Sequence, residues 1–180
     1  MKENDIGKVK EQKLLFLLRS MLKNSRLSDR DMAKLLHISQ PTVTRLRRSL
    51  ETSGYVKSYT VVPDFAKMGY RVLAFTFSKL KGYPQPKDAQ ELFKRAAEWV
   101  GKHPNVIYAA DGQGLGGKDI VMISFHKDYD DYTKFIHSYA FEWGNNISIF
   151  ETFITSTTSE FTMKPFDLKY LAYDEQNPRA

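Results

Sequence analysis

The sequence predicts an α+β protein in two parts, and three observations carry that prediction. The first third reads as short helices with apolar residues at helical spacing. The remainder runs in the order β-α-β-β-α-β. The charge divides at the same place. Residues 1–62 hold 13 Lys and Arg against 6 Asp and Glu, a net +7, whereas residues 63–180 hold 14 against 15, a net −1. The modest total of +6 over 180 residues therefore hides a basic module followed by a near-neutral one.

In the first helix Leu14, Leu15, Leu17, Leu18, Met21 and Leu22 form one broad apolar face, and Asn24, Ser25 and Arg26 break it. Ser28 followed by Asp31 is a variant capping box that starts a second helix, with Met32, Leu35 and Leu36 inward and a stop near His37. Ser39 is placed to cap a third helix. Pro41 sits in its first turn, where a missing N–H costs nothing. Val43, Leu46 and Leu50 point inward and Gly54 ends it. The β-prone run Tyr55 to Val62 then reads as a strand or wing. These elements form a winged helix-turn-helix.

Pro63 to Gly69 reads as a hinge. Beyond it, strands are predicted at Val72–Leu80, Val106–Ala110, Ile120–Phe125 and Ile147–Ser156. Helices are predicted from Asp88 to Lys102 and from Asp128 onward, the second with Tyr132, Phe135, Ile136, Tyr139 and Trp143 on one face. This is the order of a ferredoxin-like domain. The expected division is a DNA-binding domain at 1–62, a hinge at 63–69, a ferredoxin-like domain at 70–164 and a loosely held polar tail at 165–180.

Composition narrows the function. The chain has no cysteine, which removes disulfides, thiolate metal sites and a cysteine nucleophile. No apolar run approaches a membrane span, and the polar start lacks a signal-peptide core. A cytoplasmic protein with no membrane partner is the expectation. The four histidines show no metal-ligand spacing. Asp128, Asp130 and Asp131 lack the glycine and closing glutamate of a calcium loop, and Asp128 reads better as a helix cap. No catalytic triad or carboxylate pair stands out, so the chain is read as a non-enzyme without cofactor or metal.

The outward face of the third helix carries Gln40, Thr42, Thr44, Arg45, Arg47 and Arg48. Gln pairs with adenine, Arg with guanine, and the threonine methyl with the thymine methyl in the major groove. The arginines also clamp phosphates. Ser39 and Gln40, at the helix start, suit a backbone phosphate, and Lys57 in the wing is a further phosphate contact. Double-stranded DNA is the partner these residues fit.

Gly112-Gln-Gly114-Leu-Gly-Gly117 satisfies a dinucleotide fingerprint, and with Lys118 it nearly satisfies a phosphate loop. Either needs a helix to follow. The strand-like Ile120–Phe125 follows instead, so a tight hairpin is the better reading and a nucleotide-using enzyme built on Gly112–Gly117 the weaker alternative. Gly114, Gly117 and Asp119, with the hydroxyls of Thr155 and Ser156, are the candidate contacts for a small effector.

Ser28, Ala33, Ser39-Gln-Pro-Thr-Val43, Leu50-Glu-Thr-Ser-Gly-Tyr-Val56 and Met68-Gly69 together resemble the DNA-binding half of the leucine-responsive regulator family, Lrp/AsnC. Gly117-Lys-Asp119 is similar to the Gly…Asp that the family carries at its β-hairpin. The resemblance implies a transcriptional regulator that assembles as a homodimer or larger homo-oligomer through the second domain and responds to amino acids. The long loop Gly82–Lys87, the extra glycines at 111–119 and the added tail depart from the family pattern. A sequence-tolerant architectural DNA-binding protein is the alternative.

Overall fold

The computed structural model describes residues 3–82, 84–114 and 116–172 (3–10 as backbone only). Two compact units emerge: residues up to 62 together with the segment from Lys164, and Pro63–Met163.

The first unit holds α1 (Glu3–Lys23), α2 (Asp29–Leu36) and α3 (Gln40–Thr52). Its core is Leu14, Leu17, Met21, Met32, Ala33, Val43, Leu46 and Leu50, the inward residues of all three helices. Each fully buried leucine or methionine there contributes about 1.5–3 kcal/mol of hydrophobic stabilisation. Ala33 is small where α2 meets its neighbours. The α2 cap forms as predicted: the Asp31 N–H donates to Ser28 Oγ at 3.2 Å, and that hydroxyl donates to the Asp31 carboxylate at 2.6 Å. His37 closes α2 in the left-handed region (φ 50°, ψ 43°), and its N–H and that of Ile38 reach back to the carbonyls of Lys34 and Ala33.

Two predictions fail locally. Ser39 makes no side-chain cap bond to α3, because its hydroxyl pairs with that of Thr42 at 2.8 Å instead. Residues 55–62 form no strand and join no ladder, since no neighbouring segment of the described chain offers a second strand. The segment is held by the Val56 N–H, which donates to the Leu50 carbonyl at 3.1 Å, by Val56 packing on the core, and by Tyr59, which donates to Glu51 Oε1 at 2.7 Å. A 3₁₀ helix, Leu168–Ala172, packs on α1 with Ala172 buried, so this part of the predicted loose tail is ordered structure. Residues 173–180 of that tail lie outside the described residues.

The second unit holds β1 (Val72–Leu80), α4 (Pro86–Gly101), β2 (Val106–Gly114), β3 (Lys118–His126), α5 (Tyr129–Trp143) and β4 (Ile147–Ser156). The antiparallel sheet has the order β2-β3-β1-β4. Register puts Ala74, Thr76 and Ser78 of β1 on the helix-covered face, beside Ser124 and Met122 of β3. There Ser78 and Tyr139 of α5 share a buried 2.8 Å hydrogen bond between their hydroxyls. Asp128 caps α5, accepting from Asp131 N–H at 2.8 Å. The 63–69 segment is a hydrogen-bonded turn of this unit, with Phe65 stacked on Phe125 at 4.3 Å.

The glycine-rich stretch is shorter as a loop than predicted. β2 and β3 extend into it, leaving the turn around Gly116 and Gly117, whose φ values of 71° and 78° suit glycine. Leu115 lies outside the described residues.

Candidate nucleic-acid interface

The two helices of the motif are locked by a polar node as well as by their core. Asp29, in the first turn of α2, accepts from Thr44 Oγ1 at 2.6 Å and from Arg47 Nε at 2.9 Å. Arg47 Nη2 also donates to the Leu27 carbonyl at 3.3 Å. Thr44 and Arg47 lie three apart on α3, so both reach one neighbour. The Thr44 hydroxyl, opposed by burial and aided by Arg47, holds the Asp29 carboxyl below its ordinary value. Burial works against the Arg47 cation, but hydrogen bonds to Tyr59 and Asp29 outweigh it, and its pKa is raised.

This adds to the sequence reading of the helix face. Spacing along α3 alone points Thr44 and Arg47 outward to DNA. In the folded unit both also bond to Asp29 of α2 across the helix crossing; the Arg47 side chain is only 18 % exposed, whereas Thr44 stays exposed. Local spacing on α3 cannot show that, since the partner comes from another helix 18 residues earlier in the chain. Asp29 itself escapes sequence reasoning for the same reason: in the first turn of α2 it looks like ordinary dipole compensation.

The remaining predicted residues do lie outward. Gln40, Arg45 and Arg48 are exposed, and neither arginine makes an ion pair among the described residues. Arg45 and Arg48 lie three apart and share a stripe. Thr42 is half-buried and bonded to Ser39, and Lys57 is exposed on the 55–62 segment. The surface on offer is therefore an N-terminal helical turn with Gln40 and two free guanidiniums, a shape and chemistry suited to the major groove.

The candidate effector contacts do not converge within one chain. Asp119 accepts from Leu80 N–H at 2.9 Å and so secures the start of the loop after β1. Gly117 lies beside the Lys79 side chain. Thr155, opposite Leu73, and Ser156, opposite Val72, sit at the other end of β1. At about 3.3 Å per residue the two groups are roughly 20 Å apart. The nucleotide alternative also lacks its context, because strand β3 and not a helix follows Gly117. No group of three or more metal-ligating side chains occurs among the described residues. No described helix is long and apolar enough to cross a membrane.

Comparison with known proteins agrees with this geometry. Residues 11–57 match the winged helix-turn-helix DNA-binding family. The chain is 29 % identical over 128 residues to an uncharacterized HTH-type transcriptional regulator of Pyrococcus furiosus, covering 71 % of this chain and 78 % of that one. It is 34 % identical over 67 residues to the regulator LrpC of Bacillus subtilis, covering 37 % and 46 %. Among solved structures, a Neisseria meningitidis transcriptional regulator in complex with L-Met superposes with a TM-score of 0.69 at 19 % identity, covering 88 % of this chain and 97 % of that one. AsnC of E. coli gives 0.65 at 16 % identity, covering 86 % and 96 %. The fold and the helix-turn-helix define a DNA-binding transcriptional regulator. Its fold, a helix-turn-helix followed by a four-stranded ferredoxin-like domain, is the one seen in the solved Lrp/AsnC regulators.

Proposed function

We propose that the chain regulates transcription in the cytoplasm as a homodimer, laying the two copies of α3 in major grooves about one helical turn apart. In this reading residues 1–62 bind DNA, 63–69 are a hinge, 70–164 assemble the dimer and 165–180 are a tail. Gln40, Arg45 and Arg48 read bases or clamp phosphates. Ser39, Thr42 and Lys57 hold the backbone. Thr44 and Arg47 position α3 through Asp29.

The observation that carries the proposal is the exposed, unpaired stripe of Arg45 and Arg48 on the third helix of a module with a net charge of +7. The second unit supports the dimer. Its sheet face away from the helices presents Leu73, Phe75, Phe77, Ile123 and Phe153 in register, with Phe153 67 % exposed. Such a face is suited to self-association.

The L-Met complex of the Neisseria regulator supports an amino-acid effector here as well. Gly114, Gly117 and Asp119 of one copy would meet Thr155 and Ser156 of another, since one chain keeps them apart. No catalytic step is assigned to the protein.

Selection of binding sites from a random duplex pool, with and without amino acids, tests the proposal. A two-fold-symmetric consensus, shifted in affinity by an amino acid, supports it. Binding that is indifferent to sequence points to the architectural alternative. No binding refutes both.

A further inference from the structure

α4 carries an apolar stripe of Leu92, Phe93, Ala96, Trp99 and Val100, yet none of its residues is buried, and Phe93 is 49 % exposed. The β2 edge beside it is also open, because β2 has no buried residue. Between α4, α5 and the β2 edge lies a cavity of about 530 Å³. Trp99, Trp143, Leu92, Met122 and Ile147 are among its walls. A void of that size is within the range of small-molecule sites, and a well-packed core would not keep it. None of Gly114, Gly117, Asp119, Thr155 or Ser156 lines it.

The polar groups around it are few. The Tyr139 hydroxyl is committed to Ser78, and the Asn146 amide oxygen accepts from Arg95. Arg95 in turn lies over the Trp143 ring at 4.5 Å and faces Glu142 at 3.7 Å, so its charge is already matched. That leaves the exposed Asp111 carboxylate as the unmatched charge on the lining.

We propose that this cavity is a binding site for a neutral, aromatic-bodied small molecule, separate from the amino-acid contacts discussed above. Two indoles whose ring centroids lie 6.3 Å apart, edge to face, offer surfaces on which a third ring packs. Asp111 disfavours an anionic ligand and accepts a hydrogen bond from a neutral N–H or O–H. The site needs neither DNA nor the amino-acid reading.

The test uses the full chain and N-phenyl-1-naphthylamine, a neutral probe that brightens in apolar surroundings. Trp99 and Trp143 are the chain's two tryptophans, so energy transfer from them reports on this cavity. The expected result is saturable binding, one probe per chain, with tryptophan quenching. The anionic analogue 1-anilinonaphthalene-8-sulfonate should bind about tenfold more weakly, a gap that Asp111→Asn narrows. Ala96→Phe fills the cavity, so it should weaken the neutral probe about tenfold or more while raising the melting temperature. Ala96→Leu gives the same pattern more mildly if the larger ring prevents folding. Absence of saturable binding overturns the proposal. So does undiminished binding to a folded Ala96→Phe or Ala96→Leu chain.

Discussion

Replacing Arg47 with alanine separates a residue that shapes the motif from one that reads DNA. The substitution removes a charge-assisted bond of 2.9 Å to Asp29 and a 3.3 Å bond to the Leu27 carbonyl. An exposed ion pair is worth about 0–1 kcal/mol, whereas a shielded hydrogen bond to a charged group is worth about 1.5–3. With side chains 18 % and 22 % exposed, this pair lies between the two, and a loss of about 1.5–2 kcal/mol is expected. For a unit of this size that lowers the melting temperature by about 6–16 °C. Differential scanning calorimetry of the full chain, with Asp29→Ala and the double variant completing a thermodynamic cycle, isolates the coupling. The same node has a pH signature. Because the Asp29 carboxyl is held low, its contribution is present above about pH 4 and is lost as pH falls through the depressed value. An Arg47→Ala chain that melts with the wild type yet loses DNA affinity would refute the reasoning and return Arg47 to the DNA-facing set.

Other predictions follow from single interactions. His126 is fully buried, its Nε2 bonded to Ser124 and its Nδ1 3.6 Å from the Asp131 carboxylate, and burial lowers its pKa against a smaller pull from Asp131. The unfolded chain takes up a proton below about pH 6.5 that the folded chain resists, so denaturant titrations should show stability falling as pH drops beneath that value. His126→Asn should flatten that slope. Tyr139→Phe leaves the Ser78 hydroxyl unpaired in the core and should cost about 1–2 kcal/mol in the same titration. His37→Gly relieves a left-handed backbone and should stabilise the chain by about 0.5–1 kcal/mol, less if the freer unfolded chain offsets it. In mobility shifts, Arg45→Ala should relax base preference more than it weakens binding, as removal of a hydrogen bond to a base edge does.

What could be read from the sequence was whatever depends on local period and capping. Met32 of α2 and Val43, Leu46 and Leu50 of α3 follow from 3.6-residue spacing, whereas Leu35, read as inward, is 52 % exposed; β1 and β4 fall at the residues their composition marks. The stop near His37 follows from the same spacing, and the structure closes α2 there in the left-handed region. What escaped depends on partners distant in the chain. Thr44 and Arg47 sit on a basic helix face, and only the crossing with α2 turns them toward Asp29. Tyr55 to Val62 has strand composition, but a ladder needs a second strand that its composition cannot supply. The glycines at 112 and 114 signalled a loop, while pairing with β3 drew that stretch into β2. The cavity under α4 is invisible to periodicity, since the helix shows a normal apolar stripe and only the packing leaves it unfilled.

The central claim is that α3 binds duplex DNA through free cations on its outer stripe. Affinity for a selected duplex, measured across salt for the wild type and Arg48→Ala, tests it most directly. If a dimer neutralises roughly 6–10 phosphates, wild-type affinity should fall about 10³–10⁵-fold between about 50 and 200 mM salt. Arg48→Ala should make the logarithmic slope shallower by about one per subunit. Salt-independent affinity, or a slope unchanged by removing Arg48, would contradict the assignment of this face to DNA.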